Sequence, residues 1–136
     1  MNEKFTLDSN ILIYAFGKQG DMKKTIAKNI ILECSSISIQ VINETIQILY
    51  RKFNFPVNEL QNIIDFLKKN FTINDLHFQS LKYTLQILEK YGFSFWDSMI
   101  LASSILNNCT KLYSEDFQNN QLIEGKLRII NPFLGC

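Results

Sequence analysis

The sequence predicts a single α/β domain built on a mainly parallel sheet of roughly five strands with right-handed crossovers. Two observations predict it. Short apolar runs of strand length alternate with longer segments whose apolar residues recur at helical spacing. The chain has 136 residues, 46% of them apolar, which suffices for one core and leaves little for a second.

Taken in order, residues 5–7 read as a buried strand, and Asp8, Ser9 and Asn10 as the cap that turns it into the apolar helix 11–15. Gly17 and Gly20 make a loop, and Ile26, Ala27, Ile30 and Ile31 mark a helix over 21–33, beginning at Asp21. A second strand covers 37–39. The next helix starts near Val41, carries Glu44 in its first turn or two, buries Ile42, Thr45, Ile48 and Leu49, and stops before Asn54 and Pro56. Residues 57–69 form a further helix with Leu60, Ile63, Ile64 and Leu67 on one face. A third strand at 71–73 leads to Asn74 or Asp75 as the cap of a long helix that Gly92 ends after Tyr91. Ser94 opens a helix whose apolar set, Phe95, Met99, Ile100, Ala102 and Leu106, is dense enough to be buried on most sides. Strands at 111–113 and 127–130 complete the sheet. There is no repeat, low-complexity tract or linker.

Composition excludes several functions. With 14 basic and 13 acidic residues the net charge is +1, so any grip on nucleic acid must be local. Candidate cations are Lys18, Lys23, Lys24, Lys28, Arg51, Lys52, Lys68 and Lys69, most of them ordinary solvated helix residues. Cys34, Cys109 and Cys136 form no CxxC pair and lie far from His77, the only histidine, which rules out zinc-finger and disulfide frameworks. With one histidine and no GxSxG elbow, nucleophilic triad chemistry is also disfavoured, and His77 reads as an ordinary helix residue. The N-terminus lacks the apolar segment of a signal peptide and no stretch is long enough to span a membrane, so a reduced, cytoplasmic protein is the expectation.

Chemistry concentrates in four acids. Asp8, Glu44, Asp97 and Asp116 each lie beside a short apolar run, near a strand-to-helix or turn boundary. In an open α/β sheet such positions converge outside the carboxyl ends of the strands. Each acid alone has a plain structural explanation: Asp8 as a cap, Asp97 in a capping box with Ser94, Asp116 in a turn, Glu44 at a helix dipole. Together they favour a site. Asp8 interrupts an apolar run from Phe5 to Phe16, and Asp97 sits in a segment almost free of charge, where a carboxylate is costly unless hydrogen-bonded or bound to a cation. Carboxylates without histidine or thiolate select a hard cation, Mg²⁺ or Mn²⁺. That combination suits hydrolysis of phosphodiesters, with Asp8 and Asp97 expected to hold the principal metal and Glu44 and Asp116 to help hold a second metal or the attacking water.

These residues bring the chain to a resemblance. Leu7-Asp8-Ser9-Asn10, the segment from Ser38 to Glu44, Phe95-Trp96-Asp97, the segment from Leu112 to Phe117, and the closing Ile129-Ile130-Asn131-Pro132-Phe133 occur in the order and spacing of PIN-domain ribonucleases. The chain resembles in particular the toxins of bacterial type II toxin-antitoxin pairs of the VapC kind. The resemblance implies a three-layer α/β/α fold, metal binding by the four acids, and support from Asn10 and Ser114. It also implies an endoribonuclease with a cognate antitoxin, and a homodimer. An open crevice suits single-stranded or looped RNA as substrate, and apolar and aromatic residues left exposed between the helix bearing Ile46 to Phe53 and the one bearing Leu60 to Leu67 would make a groove for an amphipathic segment of the antitoxin. The chain departs from the family pattern at Ser98, Ser103, Ser104 and Asn108, which touches helix packing and loop shape but no acid. Competing readings are a HAD-type phosphatase, disfavoured because Asn10 and Leu12 replace its second Asp and its Thr or Val; a PIN nuclease of RNA processing; and a silent PIN-like RNA-binding or assembly module, which would be expected to lose acids.

Overall fold

In the computed structural model the described residues are 3–18 and 22–136, so the expected loop glycine Gly20 and the expected helix start at Asp21 lie outside the described residues. The element order is β1 (Lys4–Leu7), α1 (Ser9–Phe16), α2 (Met22–Glu33), β2 (Ser36–Ser38), α3 (Ile39–Arg51), α4 (Val57–Asn70), β3 (Thr72–Asn74), α5 (Ser80–Tyr91), α6 (Phe95–Leu106), β4 (Cys109–Tyr113), β5 (Leu122–Ile123) and β6 (Leu127–Ile130). The expected α/β alternation is present.

The sheet differs in detail from the expectation of roughly five strands. Four strands run in the order β1-β4-β6-β5, with β1, β4 and β6 mutually parallel and the two-residue β5 antiparallel to β6. Strands β2 and β3 form a separate parallel pair. Ser35 joins the two sheets: its N–H donates to the Phe5 carbonyl at 3.2 Å and its own carbonyl accepts from Thr72 at 2.9 Å. Strands β1, β4 and β6 each place fully buried residues in the core, among them Leu7, Leu112, Leu127 and Ile129. Burial is complete at the carboxyl ends of β1 and β4, Thr6–Leu7 and Leu112–Tyr113, and is interrupted at the exposed Thr110 and Arg128. Around it α1 packs on α2 and α3, α3 on α4, and α5 on α6. No helix among the described residues is long and apolar enough to cross a membrane.

Helix starts follow local side-chain chemistry. Asp8 caps α1 and Ser94 caps α6, its hydroxyl accepting from the Asp97 N–H at 3.1 Å, so the expected capping spacing is realised on the serine side. Ser38 caps α3, which therefore begins at Ile39, two residues before the expected start; the serine oxygen accepts from Val41 N–H at 3.2 Å. Gly92 ends α5 at φ 76°, a left-handed conformation that glycine adopts without penalty. Asn108, just after α6, takes φ 63°, which asparagine tolerates better than other side-chain-bearing residues.

Three expectations are corrected. The long helix does not start at Asn74 or Asp75. Asn74 ends β3, paired with Ser38 and with its amide donating to Ser36 Oγ at 2.6 Å, and α5 does not begin until Ser80. His77 therefore lies in the irregular segment before α5, exposed, with its carbonyl accepting from Ser80, and is not a helix residue. Ile64 and Leu106, expected on apolar faces, are both substantially exposed, Leu106 as the last residue of α6.

Helix α6 is buried continuously from Ser98 to Ile105. Ser104 is satisfied by donating to the Ile100 carbonyl at 2.7 Å. Ser98, fully buried, has a hydroxyl without a partner. An unmade buried hydrogen bond costs about 1–3 kcal/mol, so Ser98→Ala should raise stability by roughly 1 kcal/mol in urea unfolding, and a loss of stability would reveal a partner for that oxygen.

Candidate active site

Strand β1 ends at Leu7, which pairs with Tyr113 at the end of β4, and the next residue on each strand carries the site. The Asp8 N–H donates to the Tyr113 carbonyl at 2.9 Å, and the Ser114 N–H to the Ile130 carbonyl at 2.9 Å. Asp8 and Ser114 are thus held at the carboxyl edge of the parallel strands, where an open α/β sheet leaves its crevice.

Their side chains meet. Ser114 Oγ donates to Asp8 Oδ2 at 2.8 Å, while Asp8 Oδ1 accepts from Ser9 N–H at 2.8 Å. The same hydroxyl oxygen accepts from the Asp116 N–H at 3.1 Å and lies 3.4 Å from Asn10 Nδ2. Asn10 Nδ2 also donates to Asp116 Oδ2 at 3.1 Å. One serine and one asparagine therefore tie the end of β1 to the turn after β4, across more than a hundred residues of chain. Asp97 stands in the first turn of α6, half-buried. Glu44 projects from the second turn of α3, exposed, further into the helix than a boundary position, and Asp116 is exposed as well.

Electrostatics couples the four. Burial pushes the Asp8 carboxyl from 3.8 up to about 7 against the lowering effect of its two hydrogen bonds, and the charges of Asp116 and Glu44 add to the rise. Partial burial raises Asp97 too, with Asp116 again contributing. Such a set is unfavourable without a counter-charge. Asn10 Oδ1 adds a buried oxygen that no donor satisfies. Every available donor is oxygen, the chemistry of a hard divalent cation. Among the described residues no three acidic, histidine or cysteine side chains already surround one point. Glu44 and Asp116 are exposed, so a rotamer change that closed them on an ion would not repack the core. The residues fit a divalent cation by donor type and by unbalanced charge.

Sequence reasoning missed a second tier. Tyr14 OH donates to Glu115 Oε1 at 2.6 Å, and Lys23 Nζ lies 3.3 Å from Glu115 Oε2 and over the Tyr14 ring. Lys23, a candidate phosphate contact, is therefore engaged with Glu115. The available signal was the spacing of Asn10 and Tyr14, which puts both on one face of α1, toward the turn that carries Asp116.

A mainly parallel α/β sheet with a buried, helix-capping aspartate at the carboxyl end of its first strand defines the class of the fold. Residues 5–121 match the PIN domain family, and the chain belongs to it. Among solved structures it is similar to a toxin-antitoxin complex from Klebsiella pneumoniae, with TM-score 0.71, 17% identity, and 96% of this chain and 98% of that chain covered. It is also similar to VapC20 of Mycobacterium tuberculosis, described as a sarcin-ricin loop cleaving toxin, with TM-score 0.67, 16% identity, and coverage of 83% and 92%. DNA-bound VapBC from Salmonella typhimurium gives TM-score 0.67, 18% identity, and coverage of 94% and 97%. At such identities the likeness is one of fold. No curated protein matches the chain in sequence.

Proposed function

We propose that the chain is a metal-dependent endoribonuclease and the toxin of a type II toxin-antitoxin pair. The observation that carries the proposal is Asp8, a buried carboxylate at the end of the first strand of a PIN domain, raised toward neutrality among two further acids. Asp8 and Asp97 would hold the principal Mg²⁺ or Mn²⁺, with Glu44 and Asp116 holding or orienting a second ion and the attacking water. A cation bound there supplies charge neutralisation at the phosphodiester and lowers the pKa of a bound water. The chain's own part is positioning: Ser114 fixes the Asp8 carboxylate from behind, and Asn10 fixes Asp116. Looped or single-stranded RNA suits an open crevice, since unstacked bases can splay across it. The description of one similar structure as a sarcin-ricin loop cleaving toxin supports the same reading.

The partner reading rests on an apolar groove between α3 and α4, a cavity of about 510 Å³ whose lining includes Ile39, Ile42, Ile46, Ile64 and Leu67. It fits the apolar face of an amphipathic segment, and several similar structures are toxin-antitoxin complexes. Ile64 is exposed at its rim. Ile64→Lys should weaken binding of the cognate antitoxin about tenfold or more while RNA cleavage by the free chain is retained; unchanged affinity by calorimetry would place the antitoxin elsewhere. A homodimer is proposed with it, checked by sedimentation at micromolar concentration. The function is tested by incubating a mixed RNA pool with purified protein in Mg²⁺ or Mn²⁺ against EDTA. Cutting confined to the metal-containing reactions is the expected result, and inert, folded protein that binds no metal would replace the nuclease with a binding module.

A further inference from the structure

Beside the acids lies a second cavity, about 410 Å³, lined by Gln40, Asn43, Glu44, Leu76 and Trp96. Its size is in the range of small-ligand sites, roughly 300–1,000 Å³. Trp96 is the only tryptophan of the chain and is 65% exposed, next to Asp97 at the start of α6. Its backbone is pinned: Gln40 Nε2 donates to the Trp96 carbonyl at 3.0 Å, and the Phe95 ring packs edge-on at 5.3 Å. Gln40, Asn43 and Glu44 occupy one face of α3 at i, i+3 and i+4, so the amides and the carboxylate line up beside the indole. Leu76, also exposed, adds apolar surface.

We infer that this cavity is a subsite for one unpaired nucleobase of the RNA, stacked on Trp96 with its polar edge toward Asn43 and Glu44, next to the phosphodiester that the acids address. The inference rests on the proposed nuclease function and deepens it to base selection. A nucleobase combines a flat apolar face with donors and acceptors around its rim, and the cavity offers an aromatic plane beside two amides and a carboxylate. No cation lines it, so a phosphate is the wrong occupant. Glu44 belongs both to this wall and to the charges acting on Asp8, which sets the base beside the cut.

Because Trp96 is the sole tryptophan, its fluorescence reports on the cavity without any turnover. The experiment titrates the full chain carrying Asp8→Asn with a short unstructured RNA, and with the same RNA bearing single abasic positions, and maps the cut sites of Asp8-containing protein by sequencing. Quenching by the intact RNA is expected, with the loss of one particular base weakening binding about five- to a hundredfold. Trp96→Ala should weaken RNA binding similarly, read by anisotropy of labelled RNA, and flatten base preference at one position flanking the cut, while Trp96→Phe restores most of both. Metal-dependent cutting with no tryptophan response and no change in preference on Trp96→Ala would overturn the subsite and leave the nuclease standing. Base-dependent quenching by a chain that never cuts RNA would remove the nuclease and keep the cavity as a base-binding site.

Discussion

Asp8→Asn should lower metal-dependent RNA cleavage by about a thousandfold or more. Asp8 is proposed to hold the principal metal, and losing several kcal/mol of charge stabilisation at the reacting phosphodiester costs three or more factors of ten. Asp97→Asn should act similarly, because Asp97 is the other proposed holder of that ion and is likewise raised by burial and by Asp116. Ser114→Ala touches no substrate. It removes the hydroxyl that orients Asp8 and receives the Asp116 N–H, and a loss of about ten- to a hundredfold in metal affinity or rate is expected. Single-turnover cleavage at saturating and limiting Mn²⁺ separates the classes: extra metal should rescue Ser114→Ala in large part and Asp8→Asn hardly at all. Cleavage unchanged in Asp97→Asn would sink the assignment of the acids.

The same Asp8 substitution should have the opposite sign on stability. Holding this carboxyl near 7 in place of 3.8 makes its charge about 4 kcal/mol less favourable in the folded chain than in the unfolded one. Between those two values the folded chain keeps a proton that the unfolded chain has released. The metal-free protein must therefore lose stability as pH rises from about 4 to about 7 and level off above that. Asp8→Asn removes this slope and should stabilise metal-free protein by roughly 2–4 kcal/mol at pH 8, less whatever the Ser114 hydroxyl loses as its acceptor changes. Urea unfolding in EDTA at pH 5 and pH 8 provides the check, and equal wild-type stability at both values would contradict the burial argument. Added Mn²⁺ should stabilise the wild-type chain at pH 8 by binding only its folded, deprotonated form, and should leave Asp8→Asn almost unmoved.

Signals confined to one turn of chain were legible in the sequence. Asp8 and Ser94 as caps, Gly92 as a left-handed helix end and the strand at 127–130 all follow from side chains acting on their own backbone. What failed was set by partners far away. Asn74 has the chemistry of a cap, but pairing with β2 holds it in a strand, and Ser36, thirty-eight residues earlier, accepts from its amide. The two residues of β5 carry no period of their own and become a strand only because β6 is there to pair with them. Within the site, the acids could be singled out as costly interruptions of apolar runs. The direction of the Asn10 amide, the three bonds gathered on the Ser114 hydroxyl and the engagement of Lys23 by Glu115 depend on the meeting of β1 and β4 ends and have no local trace.

Asn43 lines both the apolar groove and the cavity at Trp96, so the two share a wall on α3. Inhibitor and substrate, if seated as proposed, are then thermodynamically linked. Any factor by which an antitoxin segment weakens RNA binding is the factor by which RNA weakens the antitoxin, because linkage between two sites is reciprocal. Substrate abundance would in that case set how firmly the toxin is restrained. A cell rich in the target RNA would loosen the complex without any change in antitoxin level, and a substitution at Asn43, which belongs to both walls, would alter both sites and the strength of that linkage together.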